Sequence, residues 1–154
     1  MEDIETELRE LGEKNGFDIS LDENDACTLV LADGRPVVLQ LRAALNELDF
    51  VAILGSVPGD RRADVFTDLL SANYYWQETL GATLSWNPAL EQVVLIYPFP
   101  LADATPESLE SIFKRFLELQ AAWKDRLAEL ASDNDEPVDD DPKGDDPTDV
   151  IINP

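Results

Sequence analysis

The side chains best suited to making and breaking bonds are few in this chain, and they are poorly placed for it. There is one cysteine, Cys27, and no histidine. A catalytic thiolate needs a nearby base, and Ser-His-Asp chemistry needs an imidazole. Without histidine the commonest metal ligand is also missing. Gly55-Ser56-Val57-Pro58-Gly59 places its serine second, so it is not a G-x-S-x-G elbow and reads as a loop. Asp139-Asp140-Asp141-Pro142-Lys143-Gly144 resembles a calcium loop only on its surface. Lys143 takes a ligand position, and the twelfth place falls on Val150 where a bidentate Glu is needed. No Walker-type or dinucleotide glycine pattern occurs. The expectation is a non-enzyme without metal or cofactor, in which Cys27 is a small core residue.

What the chain offers instead is apolar surface. Residues 66–97 read as a helix, a glycine stop at Gly81, a strand, a short turn and a second strand. Tyr74, Tyr75 and Trp76 are consecutive. Each helical residue advances about 100°, so three aromatics fan over roughly 200° of the circumference. An amphipathic surface helix normally has a narrower apolar stripe. Part of this helix is therefore expected to be covered by another polypeptide, which points to self-association or client binding. Within the trio, Trp76 is expected in the core and Tyr75 at an interface.

The 154 residues suffice for one domain with a substantial core, and 44% hydrophobic content is that of a globular chain. The formal net charge of −22 repels nucleic-acid phosphates and anionic membrane surfaces, so neither partner is expected. A single cysteine fits a reducing compartment. The acidic start, Met-Glu-Asp-Ile-Glu, lacks a signal-peptide pattern, and the longest apolar run, Val93 to Leu101, is far short of the roughly 20 residues that span a bilayer. A cytoplasmic location is the expectation. Residues 131–154 hold nine acids, one lysine and four prolines with no aromatic, and read as an acidic disordered tail. Residues 1–130 carry 24 acids against 10 bases and form the folded domain.

The elements that must position any surface follow from periodicity. A first helix is expected over residues 2–14, ended by Asn15-Gly16. Strands follow over Ala26 to Ala32, Pro36 to Arg42 and about Leu48 to Ser56, the first two joined by an Asp33-Gly34 turn. Ala43–Glu47 fits either a helical turn or strand. A second helix, capped by Asp60 or Asp64, runs to about Thr79. Ala82–Trp86 and Gln92–Tyr97 are the last strands, and the fifth is apolar on both faces and so central or doubly covered. Thr105-Pro106-Glu107 opens a third helix over about 106–130. The order α-β-β-β-α-β-β-α implies an α+β domain, an antiparallel sheet covered by helices.

That order, with Leu69-Leu70-Ser71-Ala72-Asn73, Leu80-Gly81-Ala82-Thr83-Leu84-Ser85-Trp86, Val93-Val94-Leu95 and a closing helix bearing Trp123, resembles the class I type III secretion chaperones, the Tir chaperone family. The resemblance covers about residues 1–130. It implies a cytosolic homodimer that binds the N-terminal segment of a secreted effector protein in extended form and keeps it soluble and export-competent, without nucleotide hydrolysis. It places the dimer contact on the middle helix and fourth strand, giving Val65, Ala72, Tyr75, Leu84 and Trp86. It makes Leu8 and Leu11 effector-binding candidates, beside the strand residues Val37, Leu39, Leu41, Phe50 and Leu54, for which ordinary sheet core is the competing reading. The tail is a solvating segment or a dock for a basic patch on a secretion ATPase or client. Two other functions stay open at this point: a regulatory chaperone that sequesters a transcriptional regulator, and an unrelated acidic α+β dimer that binds a small ligand. Deleting residues 132–154 is expected to leave the thermal midpoint nearly unchanged in a calorimetric or circular-dichroism melt; a large drop would mean that the tail packs on the domain.

Overall fold

The computed structural model describes residues 2–132. Within them run α1 (Glu2–Asn15), β1 (Ala26–Val30), β2 (Pro36–Arg42), β3 (Glu47–Ser56), α2 (Arg62–Asn73), β4 (Thr83–Asn87), β5 (Gln92–Pro100) and α3 (Pro106–Ser132). The expected α+β order holds. The acidic tail expected over 131–154 lies, beyond Ser132, outside the described residues.

The five strands form one antiparallel sheet in the order β1-β2-β3-β5-β4. Period-2 alternation sends Leu39 and Phe50, paired across β2 and β3, to one face with Val37, Ala52 and Leu95. These side chains are fully buried, and all three helices add apolar residues to the same core: Leu8 and Leu11 from α1, Val65 and Leu69 from α2, Phe113, Phe116 and Trp123 from α3. Phe50 sits at the centre, its ring centroid 5.6 Å from that of Phe116 and 6.4 Å from that of Phe99.

Local chemistry accounts for the boundaries. Gly12 lets the chain fold back closely after α1, because a Cβ there would lie 2.5 Å from the Phe17 carbonyl oxygen. Asp33 accepts from the Arg35 backbone N–H (3.2 Å) and from its guanidinium (2.6 Å), which holds the Asp33 carboxyl below the usual carboxylate range, the backbone bond first. Thr105 accepts the Ser108 N–H while Ser108 Oγ accepts the Thr105 N–H, a reciprocal cap at the start of α3. The expected cap of α2 by Asp60 or Asp64 does not form: Arg61 occupies the cap position without a side-chain bond, and Asp64 instead pairs with Arg61 at 3.2 Å. Residues 43–45 resolve the open alternative as a single 3-10 turn.

The larger correction concerns α2. It ends at Asn73, six residues before the expected Thr79, and Tyr74–Trp76 form a 3-10 turn. Tyr75, Trp76 and Leu80 all have φ near +52°, which a continuing helix forbids. The aromatic trio therefore does not fan around a helix. Replacing Phe50 by Ala is expected to cost about 3–5 kcal/mol, read from urea unfolding, because Phe99 and Phe116 lose the ring they share.

Candidate functional site

The side chains expected to meet a client are interior. Leu8, Leu11, Val37, Leu39, Leu41, Phe50 and Leu54 are all buried in the helix-covered core. They are brought together, but as packing and not as a groove. Of the expected dimer set, Val65, Ala72 and Leu84 are buried too. Trp86 lies on the helix-packed face, half-buried under the Phe66 ring (5.0 Å between centroids) and the Arg62 guanidinium (5.0 Å). Only Tyr75 of those five stands at the surface, at 65% exposure. Trp76, expected in the core, is 53% exposed.

The opposite sheet face is the one left open. Register aligns Thr28, Val38, Val51, Ile96 and Thr83 across all five strands, with Ile53, Val94 and Ser85 as the next row. None of Val30, Val38, Val51, Ile53, Val94 and Ile96 belongs to the helix-packed core; Val30 is 63% exposed, Val38, Val51, Ile53 and Ile96 are half-buried among their neighbours, and Val94 is buried. The helices cover the face rich in Leu and Phe, and leave the β-branched face uncovered. One fixed charge pair borders it. Arg42 holds both oxygens of the buried Asp49 carboxylate (2.5 and 3.0 Å) and reaches Glu47 at 2.9 Å. A bidentate guanidinium of this kind is geometrically rigid.

The strand edges are not equivalent. Backbone groups of alternate residues in an antiparallel strand point to opposite sides. The Leu31 N–H bonds Arg35 and the Leu41 N–H bonds the Asp25 carbonyl, so odd-numbered residues of β1 face β2 and Ala26, Thr28 and Val30 face outward. Ala26 is closed: its N–H donates to Asp22 Oδ1 (3.0 Å) and its carbonyl accepts the Asp22 N–H (2.8 Å). Among the described residues nothing bonds the N–H and C=O groups of Thr28 and Val30, which lie on an exposed edge. On the far side, the Asn73 side chain bonds both outward groups of Leu84 in β4, donating to its carbonyl at 2.9 Å and accepting its N–H at 2.8 Å.

A second exposed apolar patch sits at the β4 margin. Leu70, Tyr74, Tyr75, Trp76 and Leu80 are all more than half exposed. Tyr74 and Tyr75 meet edge to face at 4.7 Å, and an open groove of about 510 Å³ runs along Thr67, Leu70, Ser71 and Tyr74. The loop behind the patch is anchored to α3: Trp123 Nε1 donates to the Glu78 carbonyl and Arg126 pairs with the Glu78 carboxylate at 2.6 Å. Gly81 (φ +91°) closes the loop, its N–H on the Trp76 carbonyl. Leu70 and Leu80 were not singled out as contact residues from the sequence, and Tyr74 was noted only as one of the aromatic trio. The signal for Leu70 was present in its position one residue off the buried Leu69.

The profile of the Tir chaperone protein (CesT) family matches residues 6–124. A Tir chaperone from Escherichia coli O157:H7 is 30% identical over 106 residues, covering 68% of this chain and 66% of that relative. One from Citrobacter freundii is 29% identical over the same span. The chain thus spans just under two thirds of the length of these relatives. Among solved structures, the ExsC-ExsE complex superposes with a TM-score of 0.70 at 23% identity, covering 82% of this chain and 94% of the other. The HopA1-SchA chaperone-effector complex gives 0.65 at 13%, covering 79% and 93%. ExoU-SpcU from the type III secretion system of Pseudomonas aeruginosa gives 0.62 at 21%, covering 84% and 98%. At these identities the likeness is one of fold.

Proposed function

The chain belongs to the Tir chaperone (CesT) family, and from that premise we propose that it is a cytosolic, non-catalytic chaperone of type III secretion. It binds the N-terminal segment of an effector protein in extended form and keeps that segment soluble and competent for export. The single observation that carries this reading is the open β1 edge, Thr28 and Val30, lying beside an uncovered β-branched sheet face. An extended segment added along β1 satisfies its backbone on that edge, and its alternate side chains reach the apolar row beyond it.

Magnitudes require both parts. Thr28 and Val30 offer at most four backbone bonds, each worth about 0.5–1.5 kcal/mol net. Ordering five client residues costs about 1–2 kcal/mol each in backbone entropy alone. The edge by itself, at about 2–6 kcal/mol gained against about 5–10 kcal/mol of ordering cost, falls short. Net affinity comes from apolar burial on Val30, Val38, Val51 and Ile96, at about 25 cal/mol per Å². The high negative charge keeps such a surface from aggregating while it is empty.

The exposed patch of Leu70, Tyr74, Tyr75, Trp76 and Leu80 is the homodimer contact in this reading. Three left-handed non-glycine residues inside it cost about 1–2 kcal/mol each, and burial against a second copy offsets that cost.

Two experiments test the proposal. Val30→Pro removes one outward N–H without touching the core, and a proline is tolerated at an open edge. It is expected to abolish co-purification of the effector segment while the circular-dichroism spectrum is retained; undiminished binding would overturn the β1 assignment. Light scattering at micromolar concentration is expected to give twice 17.1 kDa, falling toward the monomer in Tyr75→Glu/Trp76→Glu. A monomeric wild type would remove the dimer.

A further inference from the structure

The two margins of the sheet are treated differently by the sequence, and the difference sets how many polypeptides it can accept. The Leu101 N–H bonds the Asn46 carbonyl, so in β5 the odd-numbered residues face β3 and the even-numbered ones face the β4 side. β4 pairs with β5 only from Gln92 to Ile96. The remaining outer edge of β5 would offer its donors at residues 98 and 100, and both are prolines. That stretch has no N–H to give an incoming strand. In β4 the matching outward groups at Leu84 are held by one primary amide, Asn73, at 2.8 and 2.9 Å. A primary amide carries the same donor and acceptor as a peptide unit, so it occupies the place of a sixth strand.

We propose that Asn73 is an edge plug: with Pro98 and Pro100 it blocks the outer margin of β4 and β5 at every outward position but Trp86, and leaves Thr28 and Val30, two successive open positions, as the place where this sheet accepts a partner strand, one per protomer. Asn73 acts by exclusion, as a specificity-determining residue that never touches the client. The added strand is an extended peptide with apolar residues at alternate positions, since those are the ones that meet the open β-branched face. The strand count rests on the chaperone reading above, whereas the plug itself stands on the protein alone.

The test is residue-resolved amide exchange on the free full-length protein. The Leu84 amide is expected to exchange about tenfold or more slowly than those of Thr28 and Val30. In Asn73→Ala it is expected to approach their rate while core amides stay protected. A Leu84 amide as fast as Thr28 in the wild type, or unchanged in Asn73→Ala, would overturn the plug. A synthetic ten-residue peptide of alternating valine and lysine supplies the second arm. It is expected to slow exchange at Thr28 and Val30, to lose binding in Val30→Pro, and to regain it in Val30→Pro/Asn73→Ala with protection moved to Leu84. Protection of Leu84 in the wild type would overturn the proposal. Failure of the peptide to bind any variant would count against the chaperone reading and against one strand per protomer, and would leave the exchange result on Leu84 to decide the plug.

Discussion

Three helices on one face of a five-stranded sheet leave the other face and its margins to be dealt with by other means, and that imbalance governs the rest of this structure. The covered face takes the Leu and Phe side chains, whose large area gains most from leaving water. The uncovered face keeps valine and isoleucine, which suit a strand but are costly to leave wet. A chain of neutral composition with such a face would self-associate without limit. Strong negative charge, one rigid guanidinium–carboxylate clasp at the border of the face, and prolines and an amide along one margin together restrict what approaches and where.

Much of the architecture was readable in the residues. The Thr105-Pro106-Glu107 start, the Asp33-Gly34 turn and the Asn15-Gly16 stop are local signals, and each boundary fell where its chemistry placed it, within a residue or two. The family resemblance held for the same reason: its motifs lie in regular elements. The end of α2 was not readable. Leu80 continues the helical spacing, but the indole and guanidinium of Trp123 and Arg126, over forty residues away, capture Glu78 and draw the loop off the helix axis.

The surface was less legible than the fold, and the cause is the period-2 ambiguity of strands. In β3, Phe50 and Leu54 share one face and Val51 and Ile53 the other, and both faces are apolar. Nothing within the strand says which face the helices take. The deciding fact is tertiary: α3 brings Phe113, Phe116 and Trp123 to the Leu/Phe side. Asn73 posed a similar difficulty. It was visible as the last residue of the Leu69–Asn73 motif, yet its meaning depends on Leu84, eleven residues on, having two outward backbone groups to satisfy.

The position of the aromatic corner at the β4 margin has a consequence of reach. The β1 margin lies four strand spacings away, about 19 Å at 4.8 Å each. In the proposed dimer, two copies joined corner to corner would turn their β1 margins away from each other, separated by about 40 Å or more of sheet. A single extended polypeptide bridging both needs on the order of a dozen residues simply to cross, at about 3.3 Å per residue. In that arrangement a short peptide would visit one margin at a time, and only a long, unfolded stretch would be held at both ends, taut around the pair and kept from collapsing on itself.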